Sequence, residues 1–365
     1  MLYRNFLKPI FFRMDPEQAH HTVMGGLATA AKIPGALSIM KGLYGVQEDP
    51  MLATDLFGLH FHSPIGLAAG LDKNAEAVKG LSSVGFGFLE VGTVTPVGQP
   101  GNEKPRMFRL PEDDALINRM GFNNKGADAM LTRLSQLKQH TVPIWVNIGK
   151  NKVTPNEAAH EDYLSCIRKL YPVADLFVVN ISSPNTPNLR NLQHGEELRQ
   201  LLGQIVQEMK LQNEAVGRNK AVLVKIAPDV TEEELAHMTE TIVESGVSGI
   251  IATNTTLSRM GTTNQNRLES GGLSGKPLTI RSAEVIRQVY QYTDGKIPII
   301  GSGGVFTAED AYAQICAGAS LVEIYTSFIY QGPDVTRELA KGLKQLLQRD
   351  GYQHISEAVG RDHRR

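Results

Sequence analysis

Ile297-Pro298-Ile299-Ile300-Gly301-Ser302-Gly303-Gly304 is a short apolar run that ends abruptly in glycine. Such a run, without polar alternation, fits a strand covered on both faces, as in a parallel sheet. Seven more of this kind lie upstream and downstream, at 64–68, 85–91, 143–148, 176–181, 221–226, 249–252 and 320–324. Helical patterns separate most of them, at 74–84, 157–171, 196–211, 231–245, 280–292 and 308–317. Strands alternating with helices in this number predict an α/β chain closed into a (β/α)8 TIM barrel. The competing arrangement is an open doubly wound sheet. It wants Gly-x-Gly-x-x-Gly after the first strand, where this chain has Ala68-Ala69-Gly70-Leu71-Asp72-Lys73. The glycines after Ile300 resemble that fingerprint but come too late. Residues 55–62 alternate and predict a short hairpin leading in.

Composition narrows the function. The 365 residues are 41% hydrophobic and 21% charged, which suits a packed core. With 37 Lys and Arg against 38 Asp and Glu, no electrostatic case exists for nucleic-acid binding. Cys166 and Cys316 are the only cysteines, so neither a disulfide scaffold nor a cysteine-ligated cluster is expected. The ten histidines show no metal spacing, and His60-x-His62 reads as structural. No run is long and apolar enough to span a bilayer. Lys8, Arg13 and Asp15 break the apolar start, so no secretory signal is expected either.

Residues 1–45 differ from the remainder, taken as 46–365. They carry five basic groups against two acidic ones, a net +3 that leaves −4 for the rest of a chain totalling −1. Asp15-Pro16-Glu17-Gln18 predicts a helix start, with Asp15 as cap and Pro16 at the first helical position. A helix over 16–31 and a shorter one over 37–44 follow. Their apolar residues exceed what a small hairpin can bury on itself. Two readings stand: docking on the main domain, or a surface that dips into a membrane interface.

The strands end in functional groups: Lys73, Thr93, Asn147, Asn180 with Ser183, Lys225, Thr253 with Asn254, Gly303 with Gly304, and Tyr325 with Thr326. In a barrel these ring one mouth. The glycines after the seventh strand suit a phosphate, or simply a tight turn. Lys225 lies inside an apolar run, where an unpaired ammonium is costly. It implies an anionic partner, a Schiff base, or a charge beside a flavin's N1–C2=O edge. Asn118, Asn123, Asn147, Asn180, Asn185 and Asn254 each offer a donor and an acceptor, which matches a pyrimidine or cyclic imide. Any one of them alone is an ordinary turn former. Ser183 has no Gly-x-Ser-x-Gly elbow and only His194 nearby, so a hydrolase triad is weakly supported.

The chain resembles the class 2, membrane-associated dihydroorotate dehydrogenases of bacteria over essentially its whole length. The likeness rests on Ala68-Ala69-Gly70-Leu71-Asp72-Lys73-Asn74, Glu90-Val91-Gly92-Thr93-Val94-Thr95-Pro96, Asn118-Arg119-Met120-Gly121-Phe122-Asn123-Asn124, Asn180-Ile181-Ser182-Ser183-Pro184-Asn185-Thr186, Gly271-Gly272-Leu273-Ser274-Gly275 and Ile299-Ile300-Gly301-Ser302-Gly303-Gly304. Asn188 departs from the pattern, where many members have glycine. The resemblance implies FMN in the barrel mouth. It implies oxidation of (S)-dihydroorotate to orotate, with electrons passed to a membrane quinone, in the fourth step of de novo pyrimidine synthesis. Ser183 would be the base that takes the C5 proton while hydride leaves C6 for flavin N5. The soluble class has Cys at that position. Thr186 and Phe122 would form the proton exit route.

Substrate contacts implied in the same way are Lys73, Asn118, Arg119, Met120, Gly121, Phe122, Asn180, Asn185, Asn254 and Thr255. FMN contacts would be Ala69, Gly70, Leu71, Asp72, Lys73, Thr93, Asn147 and Asn180, then Lys225, Thr253, Gly275, Gly304, Tyr325 and Thr326. His20, Arg109 and Tyr325 would meet the quinone beneath the helices of 1–45. The resemblance also implies a monomer seated peripherally on the cytoplasmic face of the inner membrane. Two other readings compete: a Schiff-base aldolase using Lys225, and a non-catalytic phosphate-ligand barrel with a protein-docking hairpin.

Overall fold

In the computed structural model, which describes residues 3–137 and 140–364, the eight apolar runs are parallel strands hydrogen-bonded into one closed ring. They are Ile65–Leu67, Leu89–Val94, Ile144–Ile148, Leu176–Asn180, Val222–Ile226, Gly249–Ala252, Ile299–Ser302 and Ala319–Ile324. The last pairs with the first, Val322 beside Ile65, which excludes the open sheet. Nearly all their residues are buried, because helices cover the outer face and side chains fill the inner one. Helices Ala159–Leu170, Gly195–Val216, Glu232–Ser245, Thr279–Thr293 and Ala308–Ala317 form that cover. Thr231 and Thr307 start two of them with reciprocal capping boxes to Glu234 and Asp310.

One helix falls short of its expected length. The 74–84 pattern yields only Val78–Ser82. The buried Asp72 carboxylate accepts the N–H groups of Glu76 and Ala77, both at 2.8 Å, and this holds the preceding residues in a turn. The leading hairpin forms from Thr54–Leu56 and Leu59–Phe61. It plugs the N-terminal end of the barrel. Phe61 packs edge-on to Phe88 at 5.6 Å, and Phe88 stacks on Trp145 at 4.0 Å. That packing leaves the opposite mouth open.

Short strands absent from the sequence reading roof that mouth. Met107–Leu110, Ala115–Asn118 and Gly272–Gly275 form an antiparallel sheet, with Asn118 opposite both Met107 and Gly272. A second pair joins Val97–Gln99 to Asn124–Gly126. Strands of three or four residues give too few positions for alternation to register.

The N-terminal helices form as Pro16–Ala30 and Ala36–Tyr44. Asp15 caps the first, accepting from the backbone of Glu17 and Gln18 at 3.0 Å each. Docking and exposure coexist here. Glu17, almost wholly buried, pairs with buried Arg106 at 2.7 Å. Burial pushes the Glu17 carboxyl up, but Arg106, helped by Lys104, outweighs it and holds the group down at about 2. Met24 is buried, and Leu27 packs so closely on Gly80 that a Cβ there would lie 2.9 Å from it. The outer surface keeps Phe6, Ile10, Ile33, Ile39 and Leu43 more than half exposed. Among the described residues no helix is long and apolar enough to cross a membrane.

Candidate active site

The strand ends and the roof enclose a cavity of about 1050 Å³, counting its open mouth. Its floor is electrostatic. Lys225 reaches Glu90 at 2.7 Å and Glu323 at 3.1 Å, all three essentially without solvent contact. Asn147 donates to the other Glu90 oxygen at 2.6 Å, and the Ala69 N–H donates to Glu90 at 2.8 Å. Burial drives Glu323 well above the ordinary carboxyl range, and the neighbouring Glu90 charge adds to this. Burial also opposes ionisation of Glu90, yet the charge and hydrogen bond of Lys225, with the Asn147 and Ala69 donors, keep it low. Of the two carboxyl groups around the Lys225 ammonium, Glu90 is thus the one held toward its charged form and Glu323 the one pushed toward its acid form. Burial alone would lower the Lys225 ammonium, but the two carboxyl groups overcome it and raise it. A Schiff-base lysine must shed its proton, so the aldolase reading loses its nucleophile.

An amide network lies above the floor. The Asn180 amide donates to Thr93 at 2.9 Å and to Asn147 at 3.2 Å, while Thr93 donates to Asn147. Asn254 donates to Ser182 at 2.9 Å. Asn185 reaches Asn118 at 3.3 Å, so two predicted substrate residues from separate loops meet. Ser183 is buried on the wall, and its hydroxyl oxygen accepts the Asn185 N–H at 3.2 Å. Among the described residues no imidazole or carboxylate bonds that hydroxyl. His194 is exposed at the start of helix Gly195–Val216 and plays no part. Thr186 is buried, and among the described residues its hydroxyl has no hydrogen-bond partner.

The phosphate-type corner is also built. Gly303 and Gly304 take positive φ, 105° and 77°, and a Cβ on Gly304 would lie 2.2 Å from the Thr279 nitrogen. Only glycine lets these chains approach so closely. The helix Thr326–Gln331 starts beside them with no side chain capping its first turn. A Cβ on Gly70 would sit 3.3 Å from the Tyr325 ring, so the wall at Ala69-Gly70 is flat. A cation-bearing floor, a flat wall and a glycine corner fit a flat ring carrying a phosphate.

Most predicted residues line this one cavity: Ala69, Gly70, Lys73, Thr93, Asn118, Met120, Gly121, Phe122 and Asn180, together with Ser183, Asn185, Lys225, Thr253, Asn254, Thr255, Gly275, Gly304, Tyr325 and Thr326. Asn147 and Thr186 lie behind its wall, whereas Leu71 and Asp72 line a neighbouring, smaller cavity. Arg119 turns away to Glu269 at 2.7 Å and rests on the Phe108 ring. The three residues expected at the quinone are not gathered into one cavity. Tyr325 lines the first. His20 lines a second cavity of about 410 Å³ under helix Pro16–Ala30, shared with Lys73, Glu17 and Met24. Burial, then the Lys73 charge, pull His20 down to about 3 and keep it neutral. Arg109 donates to the Met14 carbonyl at 2.7 Å and stacks on Phe12. Among the described residues no cluster of His, Cys, Asp and Glu could hold a metal ion. His60 instead bonds Asp55 at 2.7 Å and Glu48 at 3.1 Å.

Sequence reasoning missed Glu90 and Glu323, although the signal that flagged Lys225 was present for both: a charge inside Phe88-Leu89-Glu90-Val91 and inside Leu321-Val322-Glu323-Ile324.

Comparison with known proteins agrees with this site. A family model described as dihydroorotate dehydrogenase matches residues 51–347. A protein named dihydroorotate dehydrogenase (quinone) from Deinococcus deserti is 51% identical over 362 residues, covering 99% of this chain and 100% of its own. A namesake from Christiangramia forsetii is 51% identical over 338 residues, covering 93% and 97%. The crystal structure of DHODH in complex with ferulenol from Eimeria tenella superposes with a TM-score of 0.89 at 41% identity, covering 96% of each chain.

Proposed function

The chain belongs to the dihydroorotate dehydrogenase family, among its quinone-dependent members, and on that premise we propose that it oxidises (S)-dihydroorotate to orotate with FMN bound in the barrel mouth and Ser183 as the base. The observation that carries the reading is the meeting of Ser183, the paired amides Asn118 and Asn185, and the Lys225 floor in one cavity. FMN supplies the two-electron acceptor. Lys225, Thr93, Asn180 and the Ala69-Gly70 wall hold its ring, while Gly275, Gly304 and Thr326 hold its phosphate. The amides of Asn118, Asn185 and Asn254 read the substrate's ring N–H and C=O groups. Ser183 takes the C5 proton, and the buried Thr186 hydroxyl receives it in turn. Phe122, with φ at 54° and its ring against the cavity, excludes water from that route. Anaerobic dihydroorotate should bleach the yellow holoenzyme, and an unbleached flavin refutes the reading.

Lys73 is assigned to the substrate carboxylate. Burial, with the Arg106 charge nearby, pulls its ammonium down to about 8. Anion binding needs the protonated form, so affinity is full below that pH and falls as pH rises through it. Orotate should bind up to about tenfold more weakly per pH unit above about 8, and Lys73→Met should remove that dependence. Flavin difference titrations from pH 7 to 9 measure it, and a pH-independent affinity removes Lys73 from the role.

Residues 1–45 are assigned to quinone access and a peripheral membrane seat on the cytoplasmic face of the inner membrane, the protein acting as a monomer. The support is the set of exposed apolar side chains Phe6, Ile10, Ile39 and Leu43 on the segments flanking helix Pro16–Ala30, which the Glu17–Arg106 pair bolts down. Their combined replacement by serine should abolish co-sedimentation with anionic vesicles and cut turnover with a long-chain quinone at least tenfold, each large apolar side chain carrying about 1.5–3 kcal/mol of transfer energy. Bleaching by dihydroorotate should be unchanged. Undiminished long-chain quinone turnover places the acceptor site elsewhere.

A further inference from the structure

Arg190 sits on the loop that carries Ser183, yet nothing above gives it work. Its short helix Leu189–Gln193 is anchored by buried Leu189 and Leu192, and by Gln193, whose side-chain oxygen accepts the Ala227 N–H at 3.0 Å. From that base the guanidinium spreads to three chain segments. Its Nε donates to the Ser182 carbonyl at 3.0 Å. One terminal nitrogen donates to the Thr255 carbonyl at 2.9 Å, and the other pairs with Asp229 at 2.8 Å. Asp229 continues the bracing, accepting the Leu257 N–H at 2.8 Å and the Thr256 hydroxyl. Both side chains are less than a quarter exposed.

The Ser182 carbonyl belongs to the same planar peptide as the Ser183 nitrogen. Holding that oxygen fixes where the Ser183 side chain begins. Thr255 is a substrate residue on the next loop but one. We propose that Arg190 is a positioning residue for the reaction, its rigid fork locking the Ser182–Ser183 peptide to the Thr255 loop and so setting the distance from the Ser183 hydroxyl to the substrate ring. This rests on the reading of Ser183 as base. A planar guanidinium can hold three acceptors at fixed angles, whereas an ammonium on a flexible stem cannot. Misplacement of a reacting group by about 1 Å costs up to about 10²-fold in rate.

The test uses full-chain holoenzyme and anaerobic rapid mixing with dihydroorotate. Arg190→Gln should slow the limiting rate of flavin reduction by about 10–10²-fold. FMN content should be unchanged and orotate affinity should shift by less than about threefold, because the residue touches neither ligand. Arg190→Lys, which keeps the charge but one contact at most, should recover only part of the rate. In a Ser183→Ala background the same Arg190→Gln change should slow reduction by less than about twofold, since two residues acting as one unit are not additive. Equal slowing in both backgrounds, or an unchanged rate in the single variant, overturns the positioning role. A full reduction rate in Ser183→Ala alone is a separate result, and it overturns the base assignment on which the role depends.

Discussion

Ser183→Ala should slow flavin reduction by dihydroorotate by ~10²–10⁴-fold, the usual worth of a positioned general base, while orotate still binds. The hydroxyl makes one contact as an acceptor, from the Asn185 N–H, so its own proton is free to be relayed. Among the described residues no histidine or carboxylate activates it. As a base, Ser183 would therefore work by pre-placement and by exclusion of water rather than by a lowered pKa. A relay atom waits close by in the chain: the buried Thr186 hydroxyl, without a hydrogen-bond partner among the described residues. Orotate binding should survive because the proposed contacts to its ring are the amides and the one to its carboxylate is Lys73, not the serine. Rapid-mixing absorbance measures the rate and an orotate titration measures the binding. Reduction at the wild-type rate leaves Ser183 with no part in the chemistry.

The barrel was legible because parallel strands buried on both faces need continuous apolar runs, and Val222–Ile226 or Leu176–Asn180 could scarcely be anything else. The mouth was legible because the runs are followed within a few residues by polar side chains or by glycines. The roof was not. Met107–Leu110 and Ala115–Asn118 are too short to show a period, and their partner Gly272–Gly275 lies more than 150 residues away. The state of Lys225 was half legible. Its position inside an apolar run demanded an anionic partner, but pairing across the barrel interior depends on inward-facing positions of three strands that no local pattern connects. Arg190 carries no signal in the sequence, since its contacts bridge loops that only the closed fold brings together.

The floor makes the second large prediction, and it separates two carboxyl groups that look alike in sequence. Lys225→Met leaves Glu90 buried without the cation that keeps it ionised. Breaking a buried pair from one side costs about 3–5 kcal/mol, so the variant should unfold at markedly lower denaturant and should purify with little flavin. Glu323→Gln should do neither. Burial and the Glu90 charge both push Glu323 toward its protonated form, and glutamine copies that neutral acid in shape, donor and acceptor. The sign of the linkage goes further. A carboxyl raised in the folded state binds more protons there than in the unfolded chain above its ordinary value of 4.5, so wild-type stability falls as pH rises beyond that point. Glutamine has no such slope, and its advantage should grow by up to about 1.4 kcal/mol per pH unit until the folded carboxyl itself ionises. Urea midpoints of both holoproteins between pH 5 and 8 decide the matter. If Glu323→Gln destabilises as much as Lys225→Met, both carboxyl groups are ionised around Lys225, and the ring lies over a net negative floor.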